Sequence, residues 1–315
     1  MRIVFAGTPA VALPTLAALI QHPAHQVVGV LTRTDAPQGR KRVLTQSPVA
    51  ELAAAHDIPT LKANRLDDEA TTWVRQLQPD IGVVVAYGAL LREELLQTPR
   101  LGWINLHFSA LPAWRGAAPV QRALMAGETT IGIDVFRLVA ELDAGDIVAR
   151  DSYQATPGQS AGEVLQEMAA AGSTTVFKAL DELAANPAAG TAQQGEVSYA
   201  HKLQRTDGLL DFAQPAAAVL ARWAGVTPEP GAYVEFEGAA LKLVQLQPLT
   251  VEQQQRFARL AQPLKPGEAI IWEKQMLIAC GAGAVLAPLV QQAGKKAMQG
   301  SDWLRGRGAK AELNG

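Results

Sequence analysis

The sequence predicts an α/β chain: an open, mostly parallel sheet with helices on both faces, followed by a small antiparallel β-barrel. Three observations lead there. Short β-rich runs alternate with helical stretches through the first half, the order of a doubly wound, Rossmann-like sheet. Residues 81–87 (IGVVVAY) form a continuous apolar run, as a parallel strand buried on both faces requires. Beyond residue 195 the helical runs give way to short apolar stretches separated by Gly and Pro, the pattern of a small OB-like barrel.

Residues 3–6 (IVFA) read as the first strand. Gly7-Thr8-Pro9 turns the chain, with Thr8 the expected cap and Pro9 the expected first position of a helix reaching His22. The second strand is predicted over 27–32, and Ser47-Pro48 opens a helix that reaches His56. Strands follow at 81–87, 103–107 and 131–139, and a helix over 160–185 closes this half. Residues 186–195 (NPAAGTAQQG) are small, polar and turn-prone, as in a linker. Strands are then expected at 232–236, 241–245, 269–272, 276–280 and 284–289. The resulting division is an α/β domain over 1–185, a linker over 186–203 and a β domain over 204–310.

A length of 315 residues suits two domains, and 48% hydrophobic residues suffice for two cores. Twenty-eight Lys+Arg against 30 Asp+Glu give a net charge of −2, so a nucleic-acid site must be a local patch. The single Cys280 excludes an intrachain disulfide and a multi-cysteine zinc site. His22, His25, His56, His107 and His201 lack metal-ligand spacing, so no metal is expected. The start MRIVFAGTP does not read as a secretion signal, and the longest apolar stretch, 81–91, falls short of the roughly 20 residues that span a bilayer. The expectation is a cytoplasmic monomer without membrane contact.

Two motifs are decoys. Gly7 opens no G-x-G-x-x-G, so nicotinamide or flavin binding is not indicated, and Gly281-Ala282-Gly283 reads as a turn between strands. Gly158-Gln159-Ser160-Ala161-Gly162 matches the nucleophile elbow, but a polar segment precedes it where a strand should run. Ser160 with Glu163 reads better as a capping box.

The informative segment is 105–116, NLHFSALPAWRG. Asn105 and His107, two apart at a strand end, share one face. Taken alone, this pair is as well explained by a histidine satisfied by a backbone carbonyl. It gains weight from Asp143 in Leu142-Asp143-Ala144-Gly145-Asp146, a loop that a parallel sheet would place on the same rim, where a carboxylate can set the protonation of His107. For Asp146 the reading is a turn residue.

With these residues in place the chain resembles the 10-formyltetrahydrofolate-dependent formyltransferases, and among them the methionyl-tRNA formyltransferase family. The resemblance is carried by AGTP at the start, VVAYG at 84–88, NLHFSALPAWRGAAPVQ at 105–121, LDAGD at 142–146 and AGKKAM at 293–298. It implies Asn105, His107 and Asp143 as the catalytic group, with Asn105 and a protonated His107 donating to the oxyanion. It implies a 10-formyltetrahydrofolate donor beside Ser109, Ala110, Leu111 and Pro112, with its pterin near Tyr87 and Gly88. The acceptor it implies is initiator methionyl-tRNA; the alternative is a small amine, such as a nucleotide sugar or glycinamide ribonucleotide. On this reading the first domain is catalytic and the second binds tRNA. The basic loop with Arg40, Lys41 and Arg42, then Lys202, Lys295 and Lys296, are the expected tRNA contacts. The chain departs from the family pattern at Ala10, Phe108, Ala110 and 227–231 (TPEPG).

Overall fold

The computed structural model describes residues 1–39 and 41–313. Arg40 therefore lies outside the described residues. The chain forms two compact units. The first comprises Met1–Pro119, Ile131–Tyr153 and Leu165–Ala200; the second comprises Val120–Thr130, Gln154–Val164 and the chain from His201 on.

The elements up to Ala200 are, in chain order, β1 (Arg2–Gly7), α1 (Leu13–Gln21), β2 (Gln26–Thr32), β3 (Ala36–Gln38), β4 (Val43–Thr45), α2 (Pro48–Ala55), β5 (Thr60–Lys62), α3 (Asp68–Leu77), β6 (Ile81–Val85), α4 (Glu93–Leu96), β7 (Trp103–His107), β8 (Arg115–Gly116), α5 (Pro119–Met125), β9 (Thr130–Arg137), β10 (Ile147–Gln154), α6 (Ala161–Ala185) and β11 (Tyr199–Ala200). A seven-stranded sheet runs in the order β10-β9-β7-β6-β1-β2-β5. The pairs β5–β2, β2–β1, β1–β6 and β6–β7 are parallel, and β6 is buried along its whole length, as its apolar sequence demands. β9 breaks the pattern by running antiparallel to β7, with His107 opposite Asp134 and Ile104 opposite Arg137.

Several helix starts follow from side-chain chemistry. Ser47 accepts the Ala50 N–H at 3.0 Å to cap α2, and Asp67 accepts the Ala70 N–H at 3.1 Å to cap α3. Ahead of α6, the Ser160 N–H donates to Glu163 at 2.7 Å and the Glu163 N–H returns to Ser160 Oγ at 3.4 Å. Thr8 behaves differently from expectation. Its hydroxyl donates to the Tyr87 carbonyl at 2.9 Å, a 3-10 turn occupies Ala10–Ala12, and α1 begins only at Leu13. The demand of the neighbouring loop for a donor outcompetes the cap.

The second unit adds α7 (Ala216–Val226), β12 (Tyr233–Phe236), β13 (Ala239–Pro248), α8 (Val251–Phe257), β14 (Glu268–Trp272), β15 (Gln275–Ala279), β16 (Ala284–Gln292), β17 (Met298–Gln299), α9 (Gly300–Arg305) and β18 (Lys310–Glu312). Its antiparallel strands form a curled half-barrel in the order β12-β13-β16-β15-β14-β18, with β17 paired to β16. The Trp223 indole N–H of α7 donates to the Leu243 carbonyl of β13 at 2.9 Å. Trp303 is buried, with Phe236 edge-on at 4.9 Å and the Arg307 guanidinium 4.2 Å from its ring centre, so it anchors packing. No described helix is long and apolar enough to cross a membrane.

Candidate active site

Because directly opposed residues of an antiparallel pair point to one side, β7 and β9 put Asn105, His107, Gly132, Asp134 and Phe136 on a common face. α6 covers the other face, where a Cβ at Gly172 would stand 2.8 Å from the Leu106 side chain. The chain after β7 folds back over the open face, and its backbone polar groups meet the side chains beneath.

His107 is 6% exposed and lies edge-on to Phe136 at 6.1 Å. Its Nε2 is 3.0 Å from the Trp114 carbonyl oxygen. A carbonyl only accepts, so Nε2 carries the proton and Nδ1 of a neutral ring is left as an acceptor. Burial pushes the imidazole pKa below its ordinary 6.5, against the upward pull of the Asp143 charge, the Trp114 carbonyl and the Asp134 charge. Burial thus favours the neutral ring, where the resemblance implies a protonated His107. Asn105, half-buried two residues earlier, presents its amide on the same face.

Asp143 reaches the site by a different route from the one that the sequence suggests. Since β9 is antiparallel to β7, the loop after it leaves beside Trp103, where the Leu138 N–H donates to the Trp103 carbonyl at 2.8 Å. That is the end of β7 away from His107, so a shared rim does not place the aspartate. The loop returns, and Asp143 accepts the Gly116 N–H at 2.8 Å, two residues beyond the carbonyl that His107 holds. Asp143 is 8% exposed with φ +47°. Such a left-handed residue persists only where its surroundings over-determine it.

Those surroundings include a residue that no sequence motif marks. Gln193 donates to the Asp143 carbonyl at 2.8 Å and to the Gly145 carbonyl at 2.9 Å, and its Oε1 accepts from Arg115 Nη2 at 2.8 Å. Arg115 is buried and also donates to Glu141 at 3.0 Å, while its Nε has no partner. The stretch expected as a linker, 186–203, runs along the first unit up to Ala200. Arg137 donates to the carbonyls of Pro187 and Ala189, and Thr191 bridges to Ile147. An open cleft of about 350 Å³ lies between Ile147–Arg150 and Thr191–Gln194, with Arg150 and Gln193 in its wall. Gln and Arg without a motif carry no sequence signal, so nothing in the sequence points to Gln193.

Of the expected donor-binding residues, Ser109, Leu111 and Pro112 are buried and Ala110 is exposed. Ser109 Oγ donates to the Ala113 carbonyl at 2.6 Å. Tyr87 is 1% exposed and its hydroxyl donates to the Ala63 carbonyl at 2.7 Å, so its ring belongs to the core; burial pushes its phenol up to about 12. Gly88 is exposed, with its carbonyl accepting from Arg33 at 2.5 Å. The Ser160 hydroxyl donates to Glu163 at 2.6 Å, a cap rather than an activated nucleophile.

Among the expected tRNA contacts, Lys41 and Arg42 lie on the exposed β3–β4 hairpin, and Lys202, Lys295 and Lys296 are exposed in the second unit. Nearby cations are engaged: Arg305 pairs with Asp302, Lys310 with Glu268 at 2.9 Å, and Arg307 covers Trp303.

Comparison with known proteins gives this arrangement its class. Residues 1–180 match the family described as "Formyl transferase", and residues 202–308 match "Formyl transferase, C-terminal domain". The chain belongs to the formyl transferase family. Within it, the chain is 46% identical over 314 residues to the methionyl-tRNA formyltransferase of Leifsonia xyli subsp. xyli, covering 100% of both chains. It is 44% identical over 308 residues to the methionyl-tRNA formyltransferase of Thermobifida fusca, covering 97% of this chain and 96% of that one. Solved structures share the fold at low identity. The Helicobacter canadensis N-formyltransferase in complex with folinic acid and dTDP-3-aminofucose has a TM-score of 0.65 at 13% identity, covering 93% of this chain and 99% of that chain. HypX of Aquifex aeolicus in complex with tetrahydrofolic acid has a TM-score of 0.64 at 17% identity, covering 96% of this chain and 47% of that chain.

Proposed function

We propose that the protein transfers the formyl group of 10-formyltetrahydrofolate to the α-amine of initiator methionyl-tRNA. The observation that carries the chemistry is the buried His107, its Nε2 on the Trp114 carbonyl, with the buried Asp143 binding the same 114–116 segment and Asn105 on the same strand face. The acceptor is favoured by identity of 42–46% over nearly the whole chain to proteins of that name. What supports a folate donor is that the 109–112 turn shows only Ala110 outward and that Gly88, beyond β6, is exposed.

The donor supplies an activated formyl carbon on nitrogen. A model α-amine has a pKa of about 7.7–8.0, so a neutral fraction is present near pH 7. As the amine nitrogen adds to the formyl carbon, the Asn105 amide donates to the developing oxyanion. One such donor is worth roughly 2.7–4 kcal/mol in other enzymes. His107 Nδ1 takes the proton that the amine releases, and Asp143 stabilises the resulting imidazolium. The proton then passes to the departing folate nitrogen as its bond to the formyl carbon breaks, which restores the neutral ring. No covalent enzyme intermediate is required.

Exposed cations at Lys41, Arg42, Lys202, Lys295 and Lys296, with Arg40, supply phosphate contacts and no base reading. The test is formyl transfer from 10-formyltetrahydrofolate to methionine-charged initiator tRNA, with charged elongator tRNA and free methionine as parallel acceptors. Formyl-methionine on the initiator alone is expected. Donor turnover with no product on any tRNA refutes the acceptor and leaves a small-amine formyltransferase.

A further inference from the structure

The reaction above leaves one buried carboxylate on the same face unused. Asp134 is 0% exposed and sits directly opposite His107. A charge so placed is costly unless it is paired and hydrogen-bonded. Here Arg150 grips both of its oxygens, Nε to Oδ1 at 2.8 Å and Nη2 to Oδ2 at 2.8 Å, and the Leu111 N–H donates to Oδ2 at 2.8 Å. The same Arg150 Nη2 donates to the Leu111 carbonyl at 2.9 Å. One ion pair thus holds both backbone polar groups of a single turn residue.

Two positions earlier on that face stands Gly132. A Cβ built there would lie 2.2 Å from the Ala110 nitrogen and 2.6 Å from the Ser109 carbonyl carbon. The turn backbone therefore rests directly on β9, with Gly132 beneath 109–110 and Asp134 beneath 111. Ser109 ties the far side of the turn to Ala113.

We propose that Gly132, Asp134 and Arg150 form a seat that fixes the 109–112 turn in its donor-binding shape. Asp134 and Arg150 are positioning residues: they hold the turn and do not touch the reacting atoms. This rests on the reading that the turn lines the folate donor. A short turn exposing only a methyl group contributes through its shape, and a preset shape lowers the ordering cost of binding. The seat acts on donor affinity and not on the acceptor; because Asp134 also faces His107, the deciding variant keeps a cation opposite Asp134 so that the chemical step is spared.

The variants Arg150→Lys and Arg150→Gln separate this from simple fold maintenance. Lysine keeps a charge facing Asp134, but one ammonium cannot reproduce the planar fork that spans two carboxylate oxygens and a carbonyl. Folinic acid is titrated calorimetrically into each protein, and the steady-state rates are measured with initiator methionyl-tRNA. For Arg150→Lys we expect the folinic acid Kd and the donor KM to rise together, about tenfold for a lost charge-assisted hydrogen bond. The kcat and the tRNA KM should stay within about twofold, since uniform donor binding alone is lost. Arg150→Gln should lose more, so that lysine is the partial rescue. Should Arg150→Gln fail to fold, Arg150→Lys decides. A folded Arg150→Lys with wild-type folinic acid affinity and donor KM overturns the seat. A wild-type protein that binds no folinic acid overturns the donor reading and the seat with it. A wild-type protein that binds and formylates normally, alongside unchanged variants, overturns the seat alone.

Discussion

Replacing Gln193 with alanine should cripple the reaction, although Gln193 does not touch the reacting atoms. The side chain makes three hydrogen bonds, two to the carbonyls of Asp143 and Gly145 and one from Arg115. Alanine removes all three. The Arg115 guanidinium, 7% exposed with Nε already unpartnered, keeps only Glu141, which is itself 72% exposed. Leaving a buried donor unsatisfied costs about 1–3 kcal/mol. At about 2–4 °C per kcal/mol for a domain of this size, the melting temperature should fall by several degrees. The larger effect is on geometry. Asp143 sits at φ +47°, a conformation costing about 1–3 kcal/mol that Gln193 and the Gly116 N–H hold in place. Released on one side, the loop relaxes towards ordinary backbone and the carboxylate moves from His107. A displacement of about 1 Å can cost 10²-fold in rate. Single-turnover formyl transfer at saturating donor and tRNA reads that loss, and thermal melting reads the stability. A Gln193→Ala protein with a lowered melting temperature and the wild-type single-turnover rate refutes the reasoning, since the bonds would then serve the fold alone.

Other expectations follow from the same geometry. Because burial pushes the His107 pKa below 6.5, the proposed role of the ring as a base predicts an acid limb in kcat/KM below pH 6.5, read from its pH profile. Between that lowered pKa and 6.5 the unfolded chain binds more protons, so this group's contribution to stability is present above pH 6.5 and is lost as pH falls through the window; denaturant titrations at stepped pH check the sign. His107→Ala or Asp143→Asn should lower turnover by orders of magnitude with the melt preserved, and near-normal turnover in both sinks the mechanism. Ser160→Ala should cost about 0.5–2 kcal/mol of stability in denaturant melts and leave kcat intact, as expected of a cap. Lys295→Glu with Lys296→Glu should raise the tRNA KM and flatten its salt dependence by about one unit for each phosphate no longer neutralised, while folinic acid affinity is unchanged.

The parallel part of the sheet was legible because β6 is apolar throughout, as burial on both faces requires, and the Asn-x-His end of β7 puts two polar side chains on one face. Caps at Ser47 and Ser160 were legible because their chemistry is local. The reversal of β9 was not, since alternation along a strand says nothing about the direction of its neighbour. The protonation state of His107 depends on how completely the 109–116 segment covers it, a tertiary fact. Tyr87 and Gln193 show how little residue type says of a side chain's partners. The Tyr87 hydroxyl is taken by the Ala63 carbonyl, and a glutamine in a small-residue stretch braces the Asp143 loop; neither contact is local in sequence.

The first βα turn of this Rossmann-like sheet is built without a glycine-rich phosphate loop. In that architecture a ligand usually meets the first βα turn, where free N–H groups face its phosphates. Here that turn is filled from within: Thr8 donates to the Tyr87 carbonyl, and a Cβ on Gly7 would lie within 3 Å of Phe5, Ala12 and the Val85 carbonyl. The polar groups gather on the β7–β9 face instead. Acylation of an amine requires a donor to an oxyanion, a base held neutral and a counter-charge for the base once protonated. On the proposed reading Asn105 and His107 supply the first two from one strand, and Asp143 supplies the third from the loop between β9 and β10. The nine residues 138–146 that join β9 to β10 are few enough for Gln193 to brace at two carbonyls.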